Sequence, residues 1–416
     1  MPRLSSFLGL VFDAEVAGPL ARVTAPPYDV ISDRRRLEYL RASPFSVVHL
    51  DLAEGSDDPA DPGSRYSRAA HLLTDWERRG ALRRSREPCY YAYEMTTPPE
   101  APHAALAERT IRGLICAMTL EDWGGTVLPH EHVSQGPVQD RLALLRATRT
   151  HLSPVYGTID GPDDRLDAAV RDPRATQRSS EAIDEQGVRH RMWPVPADDV
   201  DLAHLTDEHL LIADGHHRYT TALHYRDERR LHDGPGPWDA VLTLVVDAAA
   251  EHLPVLPFHR EQLAGVPPDE SGDEAPGLDA TLAVLDDDER TIGVGTIDAD
   301  GAVTYRVRRL DGPPPTVDAL HREVLDGTHP AGPLRYVPDA HEADAALRRG
   351  DAIAVYLLPP TTPGRIRAVV ERGERLPQKS TYFWPKPRTG MVMMPLDRAA
   401  GPTADPVDQD RADRAS

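Results

Sequence analysis

The residue order predicts an α/β or α+β protein, a mixed sheet with helices divided into two lobes. Three observations predict it. Short apolar runs rich in β-branched and aromatic residues alternate with stretches of helical spacing. Forty prolines, 29 glycines and an aromatic share of 6% describe a loop-rich chain rather than a helical bundle or a fibre. An acidic Pro/Gly stretch at residues 265–278 separates two such mixtures and reads as a linker.

The elements follow in order. Val47–Leu52 and Cys89–Met95 read as short strands, and Tyr66–Arg79 as an amphipathic helix with Ala69, Leu72, Leu73 and Trp76 on one face. Residues 96–107, with three prolines, form a loop before a strand at Ile111–Met118. Leu210–Asp214 is a short apolar strand that ends at Asp-Gly and opens into a helix. Beyond the linker come an apolar run at Ala280–Leu285, strands at Thr291–Asp298 and Val303–Arg309, a helix near Val317–Leu325 and a strand at Ala352–Leu358. This divides the chain into an N-terminal lobe (1–264), the linker, a C-terminal lobe (279–395) and a polar tail (396–416) expected to be disordered.

The net charge of −20 argues against a general nucleic-acid binder, because phosphate backbones require a basic face. It leaves room for a small anionic ligand or a nucleotide held by a local cationic cluster. No apolar run approaches the roughly 18–20 residues that span a bilayer. The N-terminus lacks the apolar core of a secretory signal, and Cys89 and Cys116 are too few for a disulfide scaffold. A cytoplasmic location is expected, with no membrane partner. Of the 47 lysines and arginines only two are lysines, Lys379 and Lys386, and they fall within one segment. A compact ammonium differs from the planar guanidinium fork, so the segment is a candidate for a point charge with a purpose.

Four constellations carry chemistry. The first is Leu210-Leu-Ile-Ala-Asp214-Gly215-His216-His217-Arg218. Gly215 allows a positive φ or close backbone approach, and the helix that follows points its free N–H groups and positive dipole end outward. Arg218 adds a fork for an anion, His216 and His217 add donors or a protonatable group, and Asp214 is placed to hold Mg²⁺ or to orient a histidine. The second is Pro129-His130-Glu131-His132, where Glu131 can serve as a general base and a His-x-His pair could bind Zn²⁺. The third comprises Pro26-Pro27-Tyr28-Asp29, a rigid turn presenting a carboxylate, and His259-Arg260 at a strand end, which resembles an anion contact. The fourth is Gln378-Lys379-Ser380-Thr381 before the aromatic anchor Tyr382-Phe383-Trp384. Pro385 disfavours a helix there, so one lysine, Lys379, is expected to face the site, with Lys386 as a support.

Taken together, Pro-Pro-Tyr-Asp-Val-Ile, His130-Glu131, Ile212-Ala-Asp-Gly-His-His-Arg-Tyr, His259-Arg260 and Pro377-Gln-Lys-Ser-Thr-Tyr-Phe-Trp-Pro-Lys386 resemble the prokaryotic family of domain of unknown function 1015, over residues 1–395. The strand, Asp-Gly-His-His-Arg turn and helix are more distantly similar to the phosphate-binding turn of the ParB/sulfiredoxin superfamily, which includes free-serine kinases. That resemblance implies a phosphate and Mg²⁺ site at Asp214, Gly215, His216, His217 and Arg218, and a nucleotide such as ATP or ADP as ligand. The expected function is a phosphotransferase or phosphohydrolase acting on a nucleotide or small phosphorylated metabolite, including a serine-like hydroxy acid. In it Glu131, or else Asp29, is the base, His217 and Lys379 assist the chemistry, and His259, Arg260, Ser380 and Thr381 help hold phosphate. Two alternatives stand beside it: a nucleotide-responsive regulatory protein of ParB-like type without turnover, and a His-ligated metal hydrolase.

Overall fold

A nine-stranded mixed sheet carries the first lobe. The computed structural model describes residues 2–397 apart from 102–105, 132, 160, 162, 172–178, 250, 252, 254, 299, 313–314, 326–331, 378 and the side chain of residue 207. The sheet runs in the order Val127–Leu128, Leu210–Asp214, Val155–Ile159, Ala240–Asp247, Thr110–Thr119, Cys89–Thr96, Arg189–Pro196 and Ser180–Ile183, with Leu4–Ser5 also on Thr110–Thr119. Ala240–Asp247 runs parallel to Val155–Ile159 and Leu210–Asp214 parallel to Val127–Leu128; the other pairings are antiparallel. The central strands are covered on both faces, so Ala-Val-Leu-Thr-Leu-Val-Val-Asp is buried at every position, with no alternation.

A six-stranded antiparallel sheet forms the second lobe: Asp273–Ala275, Val303–Arg309, Thr291–Ile297, Ala354–Leu357, His259–Gln262 and Leu334–Val337. One apolar core joins the sheets and includes Tyr156 and Leu244 of the first, Ile292 and Val294 of the second, and Phe383 and Trp384. Membership of the second sheet crosses the expected lobe boundaries. His259–Gln262 precedes residue 264 and Asp273–Ala275 lies inside the linker stretch, yet both make antiparallel ladders there.

Most elements match their expected positions within one or two residues, including the helix at Arg65–Arg78 with Tyr66, Ala69, Leu73 and Trp76 buried. Val47–Leu52 does not: Val48–Asp51 is a helical turn. Every apolar residue from Val47 to Leu50 is buried, and a short run buried all round has no period by which strand and helix can be told apart. The run at Ala280–Leu285 belongs to a helix, Leu278–Asp287. The expected disordered tail lies outside the described residues from 398 onward. Leu396 is buried, with its N–H donated to the Arg149 carbonyl at 2.7 Å. Among the described residues no helix is long and apolar enough to cross a membrane.

The core also encloses histidines. Burial pushes the His151 imidazole down to about 4 and that of His259 to about 3, and it depresses His130, His190 and His216 in the same direction. A folded-state pKa below the unfolded value of 6.5 means that the unfolded chain binds protons which the folded chain refuses. Stability is therefore expected to fall as pH drops from about 6.5 toward 4, before the carboxylates near 4 titrate. Melting temperatures measured from pH 7.5 to 4.5 check this; a plateau down to pH 5 would contradict it.

Candidate functional site

The turn after Leu210–Asp214 is shaped by two local features. The register against Val155–Ile159 shifts between Ile212 and Asp214, so two residues of one strand face one of the other, a β-bulge. The extra residue re-aims the strand end, and the consecutive residues Ala213 and Asp214 both line a cleft of about 280 Å³. Gly215 then adopts φ +98°, a left-handed conformation that L side chains rarely adopt, and a Cβ there would stand 3.0 Å from Arg218 Nε. This turn starts the 18-residue helix His216–Asp233, whose first N–H groups lack intrahelical acceptors and whose N-terminal residues border the cleft.

Asp214 is the electrostatic centre. One of its oxygens accepts from Lys386 Nζ at 2.5 Å and the other from the Arg218 guanidinium. Arg218 also donates to the Pro154 carbonyl and, at 3.3 Å, to Ser153 Oγ. Lys386 lies 3.5 Å from Asp29 as well. Burial would push the Asp214 carboxyl up, but Lys386 and Arg218 together outweigh it and hold the group below its ordinary value. Lys386 pays the same desolvation, and Asp214 with Asp29 keeps its ammonium charged by raising its pKa.

Residues 376–396 cross back over the first lobe to bring the lysines here. Leu376 N–H donates to the His130 carbonyl, Tyr382 pairs with Leu256, Thr389 with Ala25 and Met393 with Leu10. Trp384 donates its indole N–H to Gln186 at 3.1 Å, and Arg388 is locked by Thr24. Lys379 sits at φ +56° and its ammonium stands 5.2 Å from the Phe258 ring, over the cleft.

Hydrogen bonding sets the histidines as neutral groups. His130 Nδ1–H donates to the Ile212 carbonyl at 2.8 Å, so its Nε2 accepts from Thr381 Oγ1 at 2.7 Å. Glu131 Oε1 lies 3.3 Å from that hydroxyl oxygen and accepts from the Ser380 N–H at 3.3 Å. His216 Nε2 accepts the N–H of His130 and His217 Nε2 that of Ser134, both at 3.2 Å, which leaves Nδ1–H as the donor of each ring. Burial lowers both imidazoles; at His216 the neighbouring histidines and arginines add to it, and at His217 it outweighs the nearby Asp29 and Glu131 carboxylates.

The structure thus brings Asp29, Glu131, Asp214, Gly215, His216, His217, Arg218, Lys379 and Thr381 to one cleft, together with Lys386. Both lysines line it; the segment is neither helix nor strand, so neither periodicity governs which way its side chains face. Ser380 turns its hydroxyl to the Pro377 carbonyl at 2.5 Å and reaches the cleft only through its backbone N–H. His259 and Arg260 are not brought there. His259 borders a second cavity, and the buried Arg260 lies over the Tyr336 ring at 5.0 Å. His132 and Gln378 lie outside the described residues. Tyr28 and Phe258 also line the cleft, without having been singled out as site residues. Tyr28 stood beside Asp29 in the Pro-Pro-Tyr-Asp turn, a usable signal; Phe258 carried none beyond its neighbour His259.

Asp214, expected as the metal ligand, has both oxygens committed to cations, and His130 has both ring nitrogens committed to protein partners. Among the described residues no group of three or more His, Cys, Asp or Glu could hold a metal ion. The donor set therefore does not fit a protein-built Mg²⁺ or Zn²⁺ cage.

A mixed α/β protein with a bulged strand, a left-handed glycine and a helix N-terminus facing two lysines is the class that fold and site define. The chain belongs to the family described as Protein of unknown function (DUF1015), whose model matches residues 4–266, a span that includes the Asp214–Arg218 turn but neither lysine. No curated protein sequence matches the chain. Among solved structures it is similar to a free serine kinase in complex with AMP (13% identity, TM-score 0.34, covering 62% of this chain and 83% of that one). It is also similar to SbnI with a C-terminal truncation from Staphylococcus aureus (13%, TM-score 0.36, 73% and 97%). A third similar structure is a conserved hypothetical protein from Pyrococcus furiosus (15%, TM-score 0.31, 62% and 86%).

Removing one partner of a buried ion pair leaves an uncompensated charge, so Lys386→Met is expected to lower stability by about 3–5 kcal/mol in urea denaturation. Adding Asp214→Asn to it should recover part of that loss. Equal losses in the single and double variants would show that the pair is not coupled.

Proposed function

We propose that the cleft binds the phosphate of a nucleotide or small phosphorylated metabolite and that the chain is a cytoplasmic phosphotransferase or phosphohydrolase. The observation that carries this reading is the N-terminus of His216–Asp233 opening onto a cleft that holds both lysines of the chain. Backbone N–H groups aligned with a helix dipole favour an anion, and a mobile ammonium neutralises charge that builds up on a transferring phosphoryl group. Asp214 supports this indirectly, by holding Arg218 and Lys386 in place while lowering the net positive charge of the cleft.

Glu131 is the base in this reading. Its carboxylate borders the cleft and accepts the Ser380 N–H. A substrate hydroxyl, or water in hydrolysis, gives its proton to Glu131 as its oxygen attacks phosphorus. The bond to the leaving oxygen breaks with its electron pair, and Lys379 offsets the charge. Asp29, 3.5 Å from Lys386, is the second candidate base. His217 donates its Nδ1–H to a phosphate oxygen rather than accepting a proton. Mg²⁺, if required, would enter with the phosphates of the ligand.

A regulatory protein that binds the same ligand without turnover is favoured by one observation: Glu131 also ties its own stretch to Leu376 and Ser380, a role that needs no chemistry. The two readings separate at Glu131→Gln. As an enzyme, that variant loses about 10²–10⁴ in turnover while keeping ligand binding. Lys379→Ala is expected to lower turnover by about 10²–10³ without unfolding the chain. Thermal shifts with ATP, ADP, AMP and phosphoserine, each with and without Mg²⁺, test the ligand class. A chain stabilised by none of them would overturn the phosphate reading.

A further inference from the structure

A second cavity, of about 420 Å³, lies on the other side of the chain segment that walls the first. Phe258 faces the cleft with the lysines, whereas its neighbours Pro257 and His259 face the second cavity. The floor is apolar: Leu256, Leu285 and Leu358 line it and are all buried. His259 is 5% exposed. Its Nδ1 accepts the Leu358 N–H at 3.1 Å, so its Nε2 carries the proton, and that N–H meets no partner among the described residues. That N–H is therefore available to an acceptor atom on a ligand in the cavity. Burial, with Arg260 beside it, pushes the imidazole down to about 3, so it remains a neutral hydrogen-bond donor.

The mouth is acidic. Glu100, Asp286 and Asp339 line it, and among the described residues lining the cavity none is a lysine or an arginine. We propose that this cavity is a binding site for a small organic cation, an amine on an apolar body that also carries a hydrogen-bond acceptor. The body replaces water on the leucine floor, the acceptor takes the His259 Nε2–H, and the ammonium lies among the carboxylates of the mouth. The first cleft, with its lysines and helix N-terminus, selects the opposite charge, so the two cavities do not share a ligand.

Tyramine and 4-hydroxyphenylacetate share an aromatic body and a phenol but carry opposite charges, which makes them the probe pair for saturation-transfer NMR on the full chain. Tyramine is expected to bind with a Kd below about 1 mM, and 4-hydroxyphenylacetate not to bind. Leu282→Trp, which fills the cavity from the helix Leu278–Asp287, should abolish the tyramine signal. The exposed pair Glu100→Gln and Asp286→Asn should weaken tyramine binding by about tenfold. That pair decides the matter if the tryptophan variant does not fold. The proposal is overturned if tyramine does not bind, if the carboxylate binds equally well, if the Glu100/Asp286 pair leaves affinity unchanged, or if ATP displaces tyramine.

Discussion

Asp214 and its two cations are the constraint on which the site depends. A carboxylate, an ammonium and a guanidinium enclosed together are expensive to desolvate, and the arrangement is tolerable only if every charge is met at contact distance. Arg218 is four residues away and comes with the helix. Lys386 is 172 residues away and can be present only if the C-terminal segment returns across the first lobe. The backbone pairings to His130, Leu256, Ala25 and Leu10 hold that segment, and Tyr382, Phe383 and Trp384 bury it. The ion triad and the strap of chain are therefore one structural unit, and the cleft is the space left between them.

The same economy governs the histidines. In water an imidazole near neutrality is a switch; here His130, His216 and His217 each accept a hydrogen bond on one nitrogen while burial disfavours the charged form. They act as fixed neutral donors and acceptors that set the positions of Thr381, His130 and Ser134. Charge in the cleft is left to the two lysines, Arg218, the helix terminus and three carboxylates, Asp29, Glu131 and Asp214. The second cavity shows the reverse polarity, separated from the first by the stretch that contains Phe258 and His259. That short stretch gives Phe258 to the first cleft and Pro257 and His259 to the second cavity.

Much of this was legible in particular residues. The run Leu-Leu-Ile-Ala-Asp-Gly marks a buried strand stopping at a turn, because four consecutive apolar residues need cover on both faces and only glycine takes φ +98° without strain. The clustering of the two lysines marked their segment as special. His259 and Arg260 misled as an anion pair because a strand end adjoining a basic residue looks the same whether it borders a cleft or a core. Val47–Leu52 misled because a fully buried short run has no period.

The order of residues by itself determined the mixed α/β class, the strand–glycine–helix turn and the chemical types available for an anion site. All of these arise from local rules: side-chain period, backbone sterics and the dipole of a helix end. Only the tertiary structure decided that Lys386 rather than Lys379 pairs with Asp214, that Glu131 meets Ser380 and Thr381, and that His259 faces a different cavity. Those outcomes depend on where distant segments come to rest, and the path of residues 376–396 is set by aromatic burial and scattered backbone pairings that have no signature in the spacing of the residues they join.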